Sequence, residues 1–147
     1  DKLKALASQK GISERTNWMG AKSQEDVIAA YREADIFVLA SRIANDGDRD
    51  GLPNVLMEAQ SLGVACISTT VSAIPELITN ERTGLLVPPE SPSEMTAALE
   101  TLCRNPELRQ SMADAGMKNV RAEFKLDKGI EQLLNLFNRT VSESEIR

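Results

Sequence analysis

Residues 50–58 read Asp50-Gly51-Leu52-Pro53-Asn54-Val55-Leu56-Met57-Glu58. An acid and a glycine come first, Pro53 stands in the first turn, and a helix over 52–62 then carries a second acid. Before them come an apolar run at 36–40 (IFVLA) and a polar loop at 41–49. A solid apolar run of strand length fits a parallel strand covered on both faces. Strand, loop and helix in that order are the first half of a parallel crossover unit, so this stretch points to the fold class and to a ligand-binding edge together.

Working outward, the same alternation continues. Upstream, 1–10 has helical spacing at Leu3, Leu6 and Ala7, with Gly11 as its stop. Residues 16–19 form a short β-compatible run ending at Gly20. Ser23 suits an N-cap with Asp26 three residues on, and Val27, Ile28, Ala30, Tyr31 and Ala34 trace a helix face. Downstream, Gly63 stops the central helix and 64–68 (VACIS) is a second buried strand. A short helix at 74–78 and a strand at 85–87 follow. Ser91 and Pro92 open a helix through Leu102 as N-cap and N1. Asn105-Pro106 separates it from helices at 108–124 and 128–139, and 142–147 reads as a frayed tail.

Alternating strands and helices predict a single α/β domain over 1–147, Rossmann-like, with a mainly parallel sheet and flanking helices. About four strands can be counted, fewer than the ~6 of a full dinucleotide-binding sheet. The chain also opens in a helix, so one or two βα units are expected upstream of Asp1.

Composition narrows the function. A formal net charge of −5 disfavours a nucleic-acid partner. No apolar run approaches the ~20 residues of a membrane span, and no leader pattern is present in these residues. Cys66 and Cys103 are expected as reduced, buried thiols, which favours a cytoplasmic setting. With no histidine, His-ligated metal sites and Ser-His-Asp or Cys-His catalysis are excluded for this chain. No residue reads as a general base or covalent nucleophile.

An open α/β sheet binds ligands beyond the carboxyl ends of its strands. The N-terminus of the central helix sits at such an end, where free N–H groups and the helix dipole suit a diphosphate. Gly51 admits close backbone approach, and Asn54 and Glu58 share a helix face. At ~1.5 Å per residue the two acids stand ~12 Å apart, about the reach of a nucleoside diphosphate carrying a sugar. Spacing alone leaves a plainer alternative open: Asp50 as a turn or cap residue and Glu58 as a solvated helix acid.

Other groupings carry less. Asp46-Gly47-Asp48 and Asp48-Arg49-Asp50 match a metal-binding D-x-D, but a solvated turn is the plainer reading of an acidic loop. The same aspartates mimic the start of a calcium loop. Its twelfth position is Met57, and Pro53 interrupts it, so calcium binding of that type is rejected. Trp18 is expected in the core. Lys22 and Arg42 are surface bases within reach of a phosphate or base, Glu76 is a helix-surface acid near a strand end, and Lys118, Arg121 and Lys125 form a solvated face.

Taken with the 36–41 run, Gly63, Ile74-Pro75-Glu76 and Thr83-Gly84-Leu85-Leu86-Val87-Pro88, the stretch 50–59 resembles the E-x7-E signature of glycosyltransferase family 4. The resemblance runs in order from Gly20 to the C-terminal helices. It implies the donor-binding C-terminal domain of a retaining enzyme of GT-B fold. In that family the first acid contacts the donor sugar, which falls on Asp50, where Glu is usual and one methylene longer. The following backbone meets diphosphate and sugar, which falls on Gly51 and Leu52 with Asn54 and Val55 alongside. The second acid binds the ribose, which falls on Glu58, and the base-binding loop falls on Met19, Gly20 and Ala21. The resemblance implies no metal and no cofactor.

The same resemblance implies a nucleotide-sugar donor, and a saccharide or lipid-linked acceptor held by a separate N-terminal domain. The family's diphosphate-neutralising Arg and Lys belong upstream of Asp1, so the chain alone is expected to lack transferase activity and to bind nucleotide weakly. The long acidic loop before Asp50 resembles members that build bacterial surface polysaccharide or glycolipid, working in the cytoplasm or peripherally at the cytoplasmic membrane face. The alternative is a non-catalytic Rossmann-like module that binds a nucleotide or a protein, toward which Asp50 in place of Glu leans.

Overall fold

A computed structural model of the chain describes residues 2–124, 129, 130 and 134. The helix expected at 128–139 lies outside them except at those last three positions, and the expected tail at 142–147 lies wholly outside. Helix α1 (Lys2–Gln9) is followed by a 3-10 turn (Ser13–Arg15) and α2 (Gln24–Glu33). Strand β1 (Ile36–Leu39), α3 (Asn54–Ser61), β2 (Ala65–Thr69), α4 (Ile74–Leu77), β3 (Leu85–Val87), α5 (Pro92–Arg104) and α6 (Pro106–Glu123) complete the order.

The three strands form a parallel sheet in the order β1-β2-β3. Phe37 pairs with Cys66, and Ser68 with Leu86. The α/β reading is therefore right, with one strand fewer among the described residues than counted. Residues 16–19 are irregular. The Thr16 hydroxyl donates back to the Ile12 carbonyl at 2.8 Å, and Trp18 is exposed rather than in the core. A β-compatible run without a neighbouring strand has nothing to bond with, and propensity alone does not hold it extended.

The local stop and start signals are realised. Gly11 and Gly63 adopt left-handed φ of 66° and 76° and close Schellman motifs on α1 and α3. Gly63 N–H bonds Gln60 carbonyl at 3.0 Å and Val64 N–H bonds Ala59 carbonyl at 3.1 Å. The Ser23 hydroxyl accepts the Asp26 N–H at 3.2 Å. Ser91 occupies the N-cap of α5, but its hydroxyl makes no capping bond. Asn105 does cap α6, accepting the Leu108 N–H at 3.0 Å.

Alternate residues of β2 enter two cores. Cys66 joins Leu56, Ala59, Ile74, Leu77 and Tyr31 on the α2–α3–α4 side. Ala65 and Ile67 join Ala98, Leu102, Met112 and Ala113 on the α5 side. Helix α6 serves both, with Met112 in the second core and Val120 packed on the first. All five β2 residues are buried, including Ser68 and Thr69. Their hydroxyls donate to the Leu39 and Ser41 carbonyls at 2.8 and 2.7 Å, which pins the chain as it leaves β1 toward the long loop. Of the cysteines, Cys66 is buried and Cys103 is exposed, so only the first matches the buried thiol expected; both are free. No helix among the described residues is long and apolar enough to cross a membrane.

Candidate functional site

The loop after β1 delivers Asp50 to the carboxyl edge of the sheet, and α3 begins four residues later. Pro53 is the N-cap rather than part of the first turn: its ψ of 121° is extended, and the helix starts at Asn54. A helical rise therefore relates only Asn54 and Glu58, about 6 Å apart along the axis. The ~12 Å expected between the two acids rested on helix throughout and does not apply to the segment from Asp50 to Pro53.

Asp50, Gly51, Asn54 and Val55 are exposed, and Leu52 and Glu58 are half-buried. Among the described residues, neither the Asp50 nor the Glu58 carboxylate has a hydrogen-bond or ion-pair partner. Helix geometry leaves the Asn54 and Val55 N–H groups without intrahelical carbonyls, while the Leu56 N–H bonds the Pro53 carbonyl at 3.1 Å. The Gly51 carbonyl accepts the Ala73 N–H at 3.1 Å, tying the approach to α3 to the loop after β2. In that loop Ser72 holds a left-handed φ of 51°. A Cβ on Gly51 would meet nothing within 4 Å, so the protein's own packing does not require glycine there. The space in front of it is open to a ligand.

Tyr31 joins α2 to this element. Its hydroxyl donates to the Val55 carbonyl at 3.4 Å and its ring meets Phe37 edge-on at 5.4 Å. Burial first, then the Glu58 carboxylate and the Cys66 thiol, push its phenol above the ordinary value. Because α2 leads into β1 through two residues, its start points toward the carboxyl ends of the strands. Met19, Gly20 and Ala21 precede that start, all exposed, with Gly20 at a left-handed φ of 66°. They make no hydrogen bond or ion pair with Asp50 or Glu58 among the described residues.

Residue types alone gave no reason to single out Ala73 or the Tyr31 hydroxyl, because each matters through a long-range contact. Arg42 proves to pair with Glu90 at 3.4 Å, and Glu90 holds a left-handed φ of 55°. The pair flanks a depression of about 260 Å³ on the α5 side, walled by Ala40, Thr69, Pro88 and Met95, to which Asp50 and Glu58 contribute nothing. In the acidic loop the Asp46 carboxylate accepts the Asp48 N–H at 3.1 Å, a local turn. Among the described residues no group of three acidic or cysteine side chains is arranged to hold a metal ion.

Comparison with known proteins adds a family to this geometry. Residues 1–119 match the model of the family described as Glycosyl transferases group 1. The putative colanic acid biosynthesis glycosyltransferase WcaL of Salmonella typhimurium is 31% identical over 136 residues, covering 92% of this chain and 34% of that protein. The chain thus spans about a third of the length of the curated relatives it matches. Among solved structures, the C-terminal domain of the group 1 family protein LpcC from Francisella tularensis superposes with a TM-score of 0.74 at 26% identity, over 85% of this chain and 62% of that one. Anabaena HepE, solved in complex with UDP, superposes with a TM-score of 0.82 at 15% identity, over 94% of this chain and 36% of that one.

Proposed function

The chain belongs to the group 1 glycosyltransferases, and from that premise we propose that it is the nucleotide-sugar donor-binding domain of a retaining enzyme. Such an enzyme moves a sugar from a nucleoside diphosphate sugar to a saccharide or lipid-linked acceptor, in bacterial surface polysaccharide or glycolipid synthesis. The observation that carries the reading is the pair of carboxylates, Asp50 four residues ahead of α3 and Glu58 in its second turn, neither with a hydrogen-bond or ion-pair partner among the described residues.

In this reading the first-turn N–H groups and the helix dipole receive the diphosphate. Gly51 and Leu52 present backbone to it, with Asn54 and Val55 alongside. Asp50 accepts from donor-sugar hydroxyls and Glu58 from the ribose. Met19, Gly20 and Ala21, at the start of α2, face the base. The contribution to catalysis is electrostatic stabilisation of the departing diphosphate, a charge that grows as the glycosidic bond breaks. UDP bound to the structurally similar HepE, and the colanic acid role named for WcaL, support the donor class and the pathway class.

The acceptor, the neutralising cations and any peripheral membrane contact belong in this proposal to the rest of the native polypeptide, which works in the cytoplasm or at the cytoplasmic membrane face. The 147-residue chain alone turns over no sugar, and neither a metal nor a cofactor takes part. The test is made in the native polypeptide that contains these residues. Asp50→Ala should abolish transfer, and Glu58→Ala should weaken nucleotide binding. Full activity in both variants would overturn the assignment in favour of a non-catalytic module, and turnover by the isolated chain would overturn the division of labour.

A further inference from the structure

Gly116 stands where α6 passes from one core to the other, between Met112 and Ala113 on one side and Val120 on the other. A Cβ there would lie 2.9 Å from Gln60 Nε2, 3.1 Å from the Thr83 carbonyl oxygen and 3.2 Å from Gln60 Cδ. Gln60 projects from α3 and is 1% exposed. Its Nε2 donates to the Thr83 carbonyl at 2.7 Å. A reversed amide would set Oε1 against that same carbonyl, so the orientation is determined, and it leaves Oε1 buried without a partner among the described residues. A methionine or leucine at 60 would avoid that orphan acceptor. The amide therefore brings something packing does not.

What it brings is direction. The other buried residues of α3, Leu56 and Ala59, pack through apolar contacts, which resist separation but only weakly resist sliding or rotation. Gln60 is the one α3 side chain that hydrogen-bonds a different element among the described residues. Two residues from Glu58, it lies on roughly the opposite side of the helix at about 100° per residue. One turn thus carries the open acid on one side and the locked amide on the other.

We propose that Gln60 and Gly116 are positioning residues of the donor site: the bond to Thr83, admitted only because residue 116 has no side chain, sets the rotation and axial position of α3 and so places Glu58 and the first-turn N–H groups. This rests on the donor-site reading of α3.

The experiment is a titration of the native polypeptide that contains these residues with UDP, GDP and ADP, following the Asn54 and Glu58 amide resonances, with thermal midpoints alongside. Gly116→Ala should weaken affinity about tenfold in the native background and leave it unchanged in a Gln60→Ala background, a coupling typical of residues in contact. Gln60→Met, which fills the space without an N–H, should lose affinity while its midpoint is held, an outcome that a purely structural role would not produce. An equal loss from Gly116→Ala in both backgrounds, or native affinity in a folded Gln60→Met, would overturn the proposal alone. No resonance shift in the native polypeptide with any of the three nucleotides would overturn the donor-site reading and this inference with it.

Discussion

The carbonyl of Gly51 is bonded to the N–H of Ala73 at 3.1 Å, so the entrance to α3 is clamped by the loop leaving the next strand, while the Cα of Gly51 faces open space. Structural and ligand-related demands on this glycine are thereby separated. Gly51→Ala should leave the thermal midpoint within ~1 °C of native, as expected for an unstrained exposed site. The same change should weaken nucleotide binding by severalfold through its methyl group. A fall in stability with unchanged binding would reverse the assignment.

Gly84 has the opposite character. A Cβ there would lie 2.6 Å from the Cys66 carbonyl oxygen and 3.1 Å from Ile78 Cγ2. The first of these is strand backbone and has no rotamer by which to yield. Gly84→Ala should push β3 away from β2 at a cost of about 1–3 kcal/mol. Denaturant titration should show a lowered midpoint at an unchanged slope.

Burial pushes the Cys66 thiol from 9.0 up to about 12. The unfolded chain gives up this proton above pH 9 while the folded chain keeps it, so this contribution is intact below pH 9 and falls between pH 9 and 12. Each pH unit in that window removes about 1.4 kcal/mol. Urea midpoints at pH 8 and 10.5 should therefore fall more steeply for the native chain than for Cys66→Ala. Tyr31, also raised, adds loss of the same sign above pH 10 in both proteins.

Glu90 combines a left-handed backbone with an exposed ion pair to Arg42. An exposed pair contributes little, and relief of a left-handed φ is worth about 1–2 kcal/mol, partly offset by the greater unfolded-state freedom of glycine. Glu90→Gly should accordingly be neutral or stabilising by up to ~1 kcal/mol in chemical denaturation. A clear loss would mean that the Arg42 pair matters more than its exposure indicates.

The features legible in the sequence are those written within a few residues. Ser23 with Asp26, Gly11, Gly63 and Asn105-Pro106 bound helices by local hydrogen bonding, and the apolar run at 36–40 marks a strand, although β1 lies at the sheet edge with Val38 exposed and is not covered on both faces as its composition suggested. The residue pattern put Asp50 ahead of a helix that carries Glu58, and in the structure Asp50 lies four residues before α3 and Glu58 in its second turn. Illegible were the features that need a distant partner. Residues 16–19 have strand propensity but no strand beside them. Cys103 is no less apolar than Cys66 yet falls on the outer side of α5. The contacts that hold α3, from Tyr31 to Val55, Ala73 to Gly51 and Gln60 to Thr83, join residues 22–24 positions apart, and nothing in their immediate neighbours announces them.

Strand β2 is bordered by a strand on each edge and by helices on both faces, with no exposed residue along its length. No partial opening of the domain bares its amides without separating a whole layer. Its protons should therefore exchange with solvent only through global unfolding, at the slow limit for this protein, while α1, where only Ala7 is buried, should exchange through local fraying. The molecule is thus graded from a frayed first helix to a locked central strand, and the loop that leads to the candidate site is fastened at its start to the locked strand by the hydroxyls of Ser68 and Thr69.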